Sequence, residues 1–135
     1  MNEFSRPTDE NFNQEEELEY LNDLINSYGE LVENIGNNGL SAPLILLYRS
    51  EIAETIELLG IDNLPAYALN ELNMFDEKLR ESVFEFVAEA GRSTFIEGRA
   101  EIGAHKDSWW WYLDTLVKER KKVDLWKEFK KWLRQ

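Results

Sequence analysis

The sequence predicts an all-α protein, a single compact bundle of five or six helices with a flexible N-terminal arm. Apolar residues recur at steps of three and four along most of the chain, which is the spacing of one helical face. The breaks between these stretches fall at glycine or proline, where helices commonly end or begin. At 135 residues, of which 43% are hydrophobic, the chain is long enough to form one domain with its own core.

The composition excludes several classes of protein. The chain has no cysteine, so disulfide frameworks, thiol nucleophiles and thiolate metal sites are all excluded. Its longest apolar runs are far shorter than the ~20 residues that span a bilayer, and its N-terminus lacks the pattern of a signal peptide, so we expect a cytoplasmic protein. The formal charge of −12 argues against direct nucleic-acid binding by the body of the protein, because phosphate contacts need a basic surface.

The N-terminal region is predicted to be an arm followed by a long helix. Residues 1–13 are polar and show no periodicity, so we expect a flexible arm there and one helical domain over residues 14–135. The first helix covers residues 14–35, with Asn13 as its N-cap and Gly36 as its C-terminal stop. Its near-heptad spacing permits a homodimer and fits an intramolecular bundle equally well.

The glycine inside this first helix, Gly29, is a local signal of its own. Glycine costs about 1 kcal/mol relative to alanine in a helix interior, so close packing or a bend is expected there. A second helix is predicted from Ser41, with Pro43 in its first turn, to the residue before Gly60. Its opening letters LILLY also fit a buried strand, but the helical spacing further on favours a helix.

The middle of the chain is predicted to hold shorter helices. A short helix over about residues 65–72 leads into another that ends at Gly91. The segment 93–104 is either a brief helix, with Thr94 opening a capping box, or a small hairpin. The final helix or helices begin at Asp107 or Ser108.

Four consecutive aromatic residues, Trp109 to Tyr112, open the C-terminal region. Neighbouring residues of a helix point about 100° apart, so the four cannot all face the core. The line through Trp109 and Leu113 suits the core best, which leaves Trp110 or Trp111 as a partly exposed anchor for a partner.

The last segment, residues 123–134, is predicted to be a basic amphipathic helix. Trp126, Phe129 and Trp132 fall on one side of it, and lysines that include Lys130 fall on the other. Such a helix binds a partner's groove or an anionic membrane, and it also suits packing on its own acidic body. Of these, packing on the body is favoured, since residues 118–134 carry a net charge of +5 and the rest of the chain −17.

The first two helices are predicted to carry an acidic face. This face comprises Glu15, Glu16, Glu19, Asp23, Glu51 and Glu54. Acid-rich helices can imitate a phosphate backbone and occupy the binding site of a basic nucleic-acid-binding protein. Solubility is the more ordinary role of such charge.

The only histidine, His105, follows Glu101 by four residues and Glu97 by eight. On a helix this spacing places three metal-ligand types along one side, which makes a carboxylate and histidine metal protein an alternative. Chance pairs of this kind are common in a chain with 27 acids, so no metal and no cofactor is expected.

Together these features predict a non-enzymatic protein–protein interaction module, a small acidic adaptor, regulator or inhibitor. Its expected partner-binding residues are Trp110, Trp111, Trp126, Phe129, Lys130 and Trp132. Peripheral membrane association through residues 123–134 is the alternative from another class.

Overall fold

The computed structural model describes residues 13–36, 42–103 and 107–134, with the side chains of Lys122 and Val123 outside that description. Throughout these residues the regular structure is helical, which confirms the predicted all-α class. The six α-helices are α1 (Gln14–Glu33), α2 (Ala42–Leu59), α3 (Ala66–Glu81), α4 (Val83–Ala90), α5 (Arg92–Ile102) and α6 (Leu113–Leu133). Short 3-10 turns at Ile61–Asn63 and Trp109–Tyr112 precede α3 and α6. The predicted arm, residues 1–13, lies outside the described residues except for Asn13.

The ends of α1 follow the sequence prediction. The side-chain oxygen of Asn13 accepts hydrogen bonds from the backbone amides of Glu15 at 3.0 Å and Glu16 at 3.3 Å, so the predicted N-cap is confirmed. Beyond the other end, Gly36 has a φ of 96°, a left-handed conformation that glycine adopts without strain. Its amide donates to the Glu89 carboxylate at 2.7 Å, which fastens the end of α1 to α4.

The core lies where α1 packs against α2 and α3, and where α4 packs on α2 and α3. Leu21 and Tyr28 of α1, Ile45 and Ile52 of α2 and Phe86 of α4 are fully buried there. A Cβ atom on Gly29 would lie 2.3 Å from the ring of Phe75 in α3. The glycine inside α1 therefore permits a close approach of α3, which is one of the two predicted reasons for its presence.

Two predicted boundaries in the middle of the chain are wrong. No break occurs near residue 72, because Leu72, Phe75 and Leu79 form one continuous buried line and α3 runs on to Glu81. The segment 93–104 is helical as far as Ile102, so the hairpin alternative is excluded. The helix α5 begins before Thr94, whose hydroxyl donates to the carbonyl of Ala90 at 2.6 Å and does not act as an N-cap.

Within the described residues, none of the helices is long and apolar enough to cross a membrane.

Candidate interaction surface on the C-terminal helix

The 3-10 turn Trp109–Tyr112 anchors the start of α6 to the body. Trp110 and Trp111 are each only 4% exposed, and both indole N–H groups donate to the hydroxyl of Ser50 on α2 at 2.9 Å. The prediction of Trp110 or Trp111 as an exposed anchor is therefore wrong. A 3-10 turn advances about 120° per residue, not 100°, and here it turns two adjacent indoles toward one acceptor.

Cationic side chains complete this anchor. The guanidinium of Arg49 lies 4.3 Å from the ring centroid of Trp110, and that of Arg80 lies 4.0 Å from the ring centroid of Trp109. Trp109 is half-buried, in keeping with its predicted place toward the core. The aromatic run is thus part of the fold and not a free binding surface.

A partly buried ion pair fixes the first turn of α6. Arg99 of α5 donates to the Asp114 carboxylate at 2.6 and 3.2 Å and to the carbonyl of Trp111 at 2.6 Å. The hydrogen bond with Asp114 raises the pKa of Arg99 above its ordinary value. This contact sets the direction in which α6 leaves the body.

Beyond Val117 the helix no longer packs on the body. Leu113 and Val117 are buried, whereas every described side chain from Lys118 to Arg134 is exposed. We call residues 118–134 the tail. The expectation that the predicted C-terminal helix packs on its own body is therefore wrong.

The physical reason lies in the register of α6. Leu113 and Phe129 are sixteen residues apart, so at 100° per residue they point about 160° apart around the helix. The side that packs on the body continues into the tail as Arg120, Asp124 and Lys127, all charged. A continuous helix that buries Leu113 and Val117 must hold its later apolar residues away from the same surface.

Five apolar residues whose side chains the structure describes form one exposed line on the tail, which we call the aromatic stripe. The rings of Trp126 and Phe129 stack with centroids 5.7 Å apart, and those of Phe129 and Trp132 with centroids 6.1 Å apart. Between 47% and 70% of each side chain in the stripe is exposed. Its members are Leu125, Trp126, Phe129, Trp132 and Leu133.

Positive charge borders the stripe. The ammonium of Lys130 lies 5.4 Å from the ring centroid of Trp126, within the range of a cation–π contact. Lys127, Lys131 and Arg134 are exposed on the remaining side. The predicted residues Trp126, Phe129, Lys130 and Trp132 are thus brought together on one accessible surface.

The predicted acidic face is only partly a surface. Glu15, Glu16, Glu19, Asp23 and Glu54 are exposed. Glu51 is 9% exposed and accepts a hydrogen bond from the hydroxyl of Tyr20 at 3.1 Å, so its assignment to the acidic face is wrong. Glu51 instead joins α2 to α1, because its position on α2 faces Tyr20.

The predicted metal ligands are only partly described. Glu97 and Glu101 are exposed on α5, and His105 lies outside the described residues. In the part of the chain that the structure describes, no three His, Asp or Glu side chains are grouped as metal ligands would be.

Two contributions were missed at the sequence level. Ser50, the acceptor for both buried indoles, lies between Arg49 and Glu51 and resembles a surface residue. The exposed leucines of α2, Leu44, Leu47 and Leu58, were not predicted as surface residues either, although the 3.6-residue period of a helix separates them from its buried residues Ile45 and Ile52.

Comparisons with protein-family models, with curated proteins and with solved structures found no match for this chain.

Proposed function

We propose that this chain is a non-enzymatic protein–protein interaction module, a small acidic adaptor, regulator or inhibitor, and that its contact surface is the aromatic stripe. The observation that carries the proposal is the exposure of five large apolar side chains in one line, on a helix that has left the body. Exposed contiguous apolar surface of this kind commonly marks an interaction site.

The chemistry of the stripe suits a helix that fills a partner's groove. Tryptophan is enriched among the residues that carry most of the binding energy of interfaces, and Trp126 and Trp132 flank Phe129, each three residues away from it. Apolar anchors at steps of three and four are typical of amphipathic helices bound in apolar grooves. The exposed cations beside the stripe speed association with an acidic partner and fix its register.

Capture from native cell extract tests the proposal. The bait is the intact chain beside a stripe variant with Trp126→Ser, Phe129→Ser and Trp132→Ser. The matched control carries Arg120→Ser and Asp124→Ser, which alter the opposite side of the same helix. We expect partner recovery to fall at least about tenfold with the stripe variant, because loss of anchor residues costs more than 1 kcal/mol each, and to stay with the control. Unchanged recovery by a folded stripe variant contradicts the proposal.

A second function, peripheral membrane association through the tail, is favoured by the cations that border the stripe. In interfacial helices aromatic rings enter the boundary layer while lysine stems reach back to anionic headgroups. Co-sedimentation with anionic vesicles tests this function. Binding that is lost on Trp126→Glu and on Lys130→Glu supports it, and no binding to such vesicles removes it.

A further inference from the structure

The aromatic stripe is an apolar surface that the described part of its own body does not cover while α6 is continuous. Val117 is the last described residue of α6 to be buried, and the body side and the stripe side of the helix are about 160° apart. The helix α6 packs on α4, on α5 and on the 3-10 turn, whereas α1 and α2 pack mainly with each other. The stripe therefore lies away from the acidic helices of its own chain.

Charge indicates what kind of surface fits the stripe. The tail carries +5, and the remainder of the same chain carries −17. The body of a second copy therefore offers opposite charge to the tail, and such local complementarity fixes orientation against the mutual repulsion of two chains of net charge −12.

The outer side of α2 matches the tail in detail. Leu44, Leu47 and Leu58 are 44%, 41% and 39% exposed, and Glu54 and Glu57 are exposed between and beside them. We call these five residues the α2 face. The α2 face therefore combines exposed leucines with carboxylates. The tail combines exposed aromatic rings with cationic groups, so the two surfaces offer apolar contact and opposite charge to each other.

Neighbouring acids extend the α2 face onto α1. The hydrogen bond from Tyr20 to Glu51 joins the two helices at this position. Glu16 and Asp23 lie one turn before and one turn after Tyr20, so they border the α2 face on the α1 side. Negative charge therefore continues from the α2 face onto the adjoining side of α1.

We propose that the α2 face of one copy binds the tail of a second copy, and that two copies exchange tails in a closed pair. The aromatic stripe covers the exposed leucines, and Lys130 and Arg134, one turn apart on the side of the helix next to Trp126, meet Glu54 and Glu57. Reciprocal exchange uses the same two surfaces twice, so the pair closes and leaves neither stripe uncovered. This inference rests on the proposed function because it uses the same stripe.

The dimensions permit this exchange. At 1.5 Å per residue, the tail from Lys118 to Arg134 extends about 25 Å, close to the diameter of a small domain. The stripe from Leu125 to Leu133 is about 12 Å long, and Leu47 and Leu58 lie about 16 Å apart along α2. The stripe is therefore short enough to lie between these two leucines.

A charge exchange between two variants tests the pair directly. The tail variant carries Lys130→Glu and Arg134→Glu, and the face variant carries Glu54→Lys and Glu57→Lys. Sedimentation velocity on the full chain measures the oligomeric state of each variant, of their equimolar mixture and of the intact chain. The matched control, Glu77→Lys and Glu81→Lys, makes the same charge change as the face variant at exposed positions of α3, which packs mainly on α1.

We expect the intact chain and the control to form dimers at low salt, and each of the two variants to associate at least about tenfold more weakly, because like charges then face each other. In the mixture both contacts are again complementary, so the dimer returns. For any variant that circular dichroism shows to be unfolded, the same native charged residues are each replaced by Gln, which removes the charge without reversing it. The expected result of this replacement is a smaller loss of association in each single variant.

Three results overturn the proposal. They are an intact chain that is monomeric, a single variant that associates as well as the intact chain, and a mixture that stays monomeric. The outcome for the proposed function is separate. A monomeric chain whose stripe still captures another protein or binds anionic vesicles leaves the stripe a contact surface with a different occupant.

Discussion

The guanidinium of Arg49 donates two hydrogen bonds to the carboxylate of Asp76, at 2.9 and 3.0 Å, where the two residues are 8% and 4% exposed. The same carboxylate accepts from the hydroxyl of Tyr28 at 2.6 Å, and the guanidinium lies 4.3 Å from the ring centroid of Trp110. This cluster joins α1, α2, α3 and the turn that begins the C-terminal region. A buried charge needs such a complete set of partners, since its desolvation is otherwise uncompensated.

The substitution Asp76→Ala is expected to lower the free energy of unfolding by about 3–5 kcal/mol, because it leaves the Arg49 charge buried and unpaired. Urea denaturation measures the change. The control is the triple variant Arg49→Met, Asp76→Leu and Tyr28→Phe, which removes all three polar members of the cluster. It should lower the free energy of unfolding less than the single substitution does. A single variant as stable as the native chain contradicts this account of the cluster.

Stability at alkaline pH depends on Tyr28. Burial, followed by the charge and hydrogen bond of Asp76, raises the pKa of Tyr28 far above its ordinary value of 10.0. Above about pH 10 the unfolded chain releases this proton while the folded chain keeps it, so stability is complete below that pH and falls as pH rises. We expect this residue to contribute a slope of about 1.4 kcal/mol per pH unit.

The control for the pH dependence is Tyr28→Phe, compared with Tyr67→Phe at an exposed position. The difference in unfolding free energy between the native chain and Tyr28→Phe should narrow as pH rises above about 10, because only the native chain has this proton to lose from the unfolded state. Parallel pH profiles for the two chains would show that Tyr28 is not the group responsible.

The sequence predicts the all-α class, the N-cap at Asn13 and the close approach at Gly29, because each rests on a local rule. Helical periodicity and capping depend on residues within a few positions of one another. The false break near residue 72 has a different origin. Leu72, Phe75 and Leu79 form the buried side of a single helix because another helix packs over them. The sequence does not show which side of α3 that neighbour covers, so it does not show that the helix continues past residue 72.

Removal of the Ser50 hydroxyl is expected to lower the free energy of unfolding substantially, although the group is small. It accepts from the indoles of Trp110 and Trp111 and donates to the carbonyl of Leu46 at 2.9 Å. Ser50→Ala leaves two buried N–H groups without an acceptor, at about 1–3 kcal/mol each. Ser93→Ala, the same change at an exposed position of α5, should cost far less by urea denaturation. Equal losses from the two variants refute the assigned role of Ser50.

The aromatic run shows why part of the candidate site could not be predicted. Trp110 and Trp111 both turn inward because the backbone forms a 3-10 turn and because one serine sixty residues earlier accepts from both indoles. Neither condition can be read from the letters SWWWY. The aromatic stripe was predictable, since its composition and spacing are local. Its exposure was not, since that follows from the register between the two ends of α6.

Gly29→Ala is expected to destabilise the protein, although alanine is the better helix former by about 1 kcal/mol. The new Cβ atom would lie 2.3 Å from the ring of Phe75, so overpacking of about 1–3 kcal/mol outweighs the gain in propensity. Adding Phe75→Leu to Gly29→Ala should make the double variant more stable than the sum of the two single changes predicts. A Gly29→Ala variant that is more stable than the native chain contradicts the close contact.

Truncation tests whether the body needs the tail. A chain that ends at Lys122 should have a free energy of unfolding within about 0.5 kcal/mol of that of the intact chain, because residues 124–134 are all exposed. A chain that ends at Thr115 also lacks Leu116 and the buried Val117, and it should lose at least about 2 kcal/mol. Urea denaturation at low protein concentration and high salt keeps association of the chains from adding to the result. If removal of residues 123–135 costs as much as removal of Val117, the stripe packs on the body in solution, and the surface proposed for partners belongs to the fold.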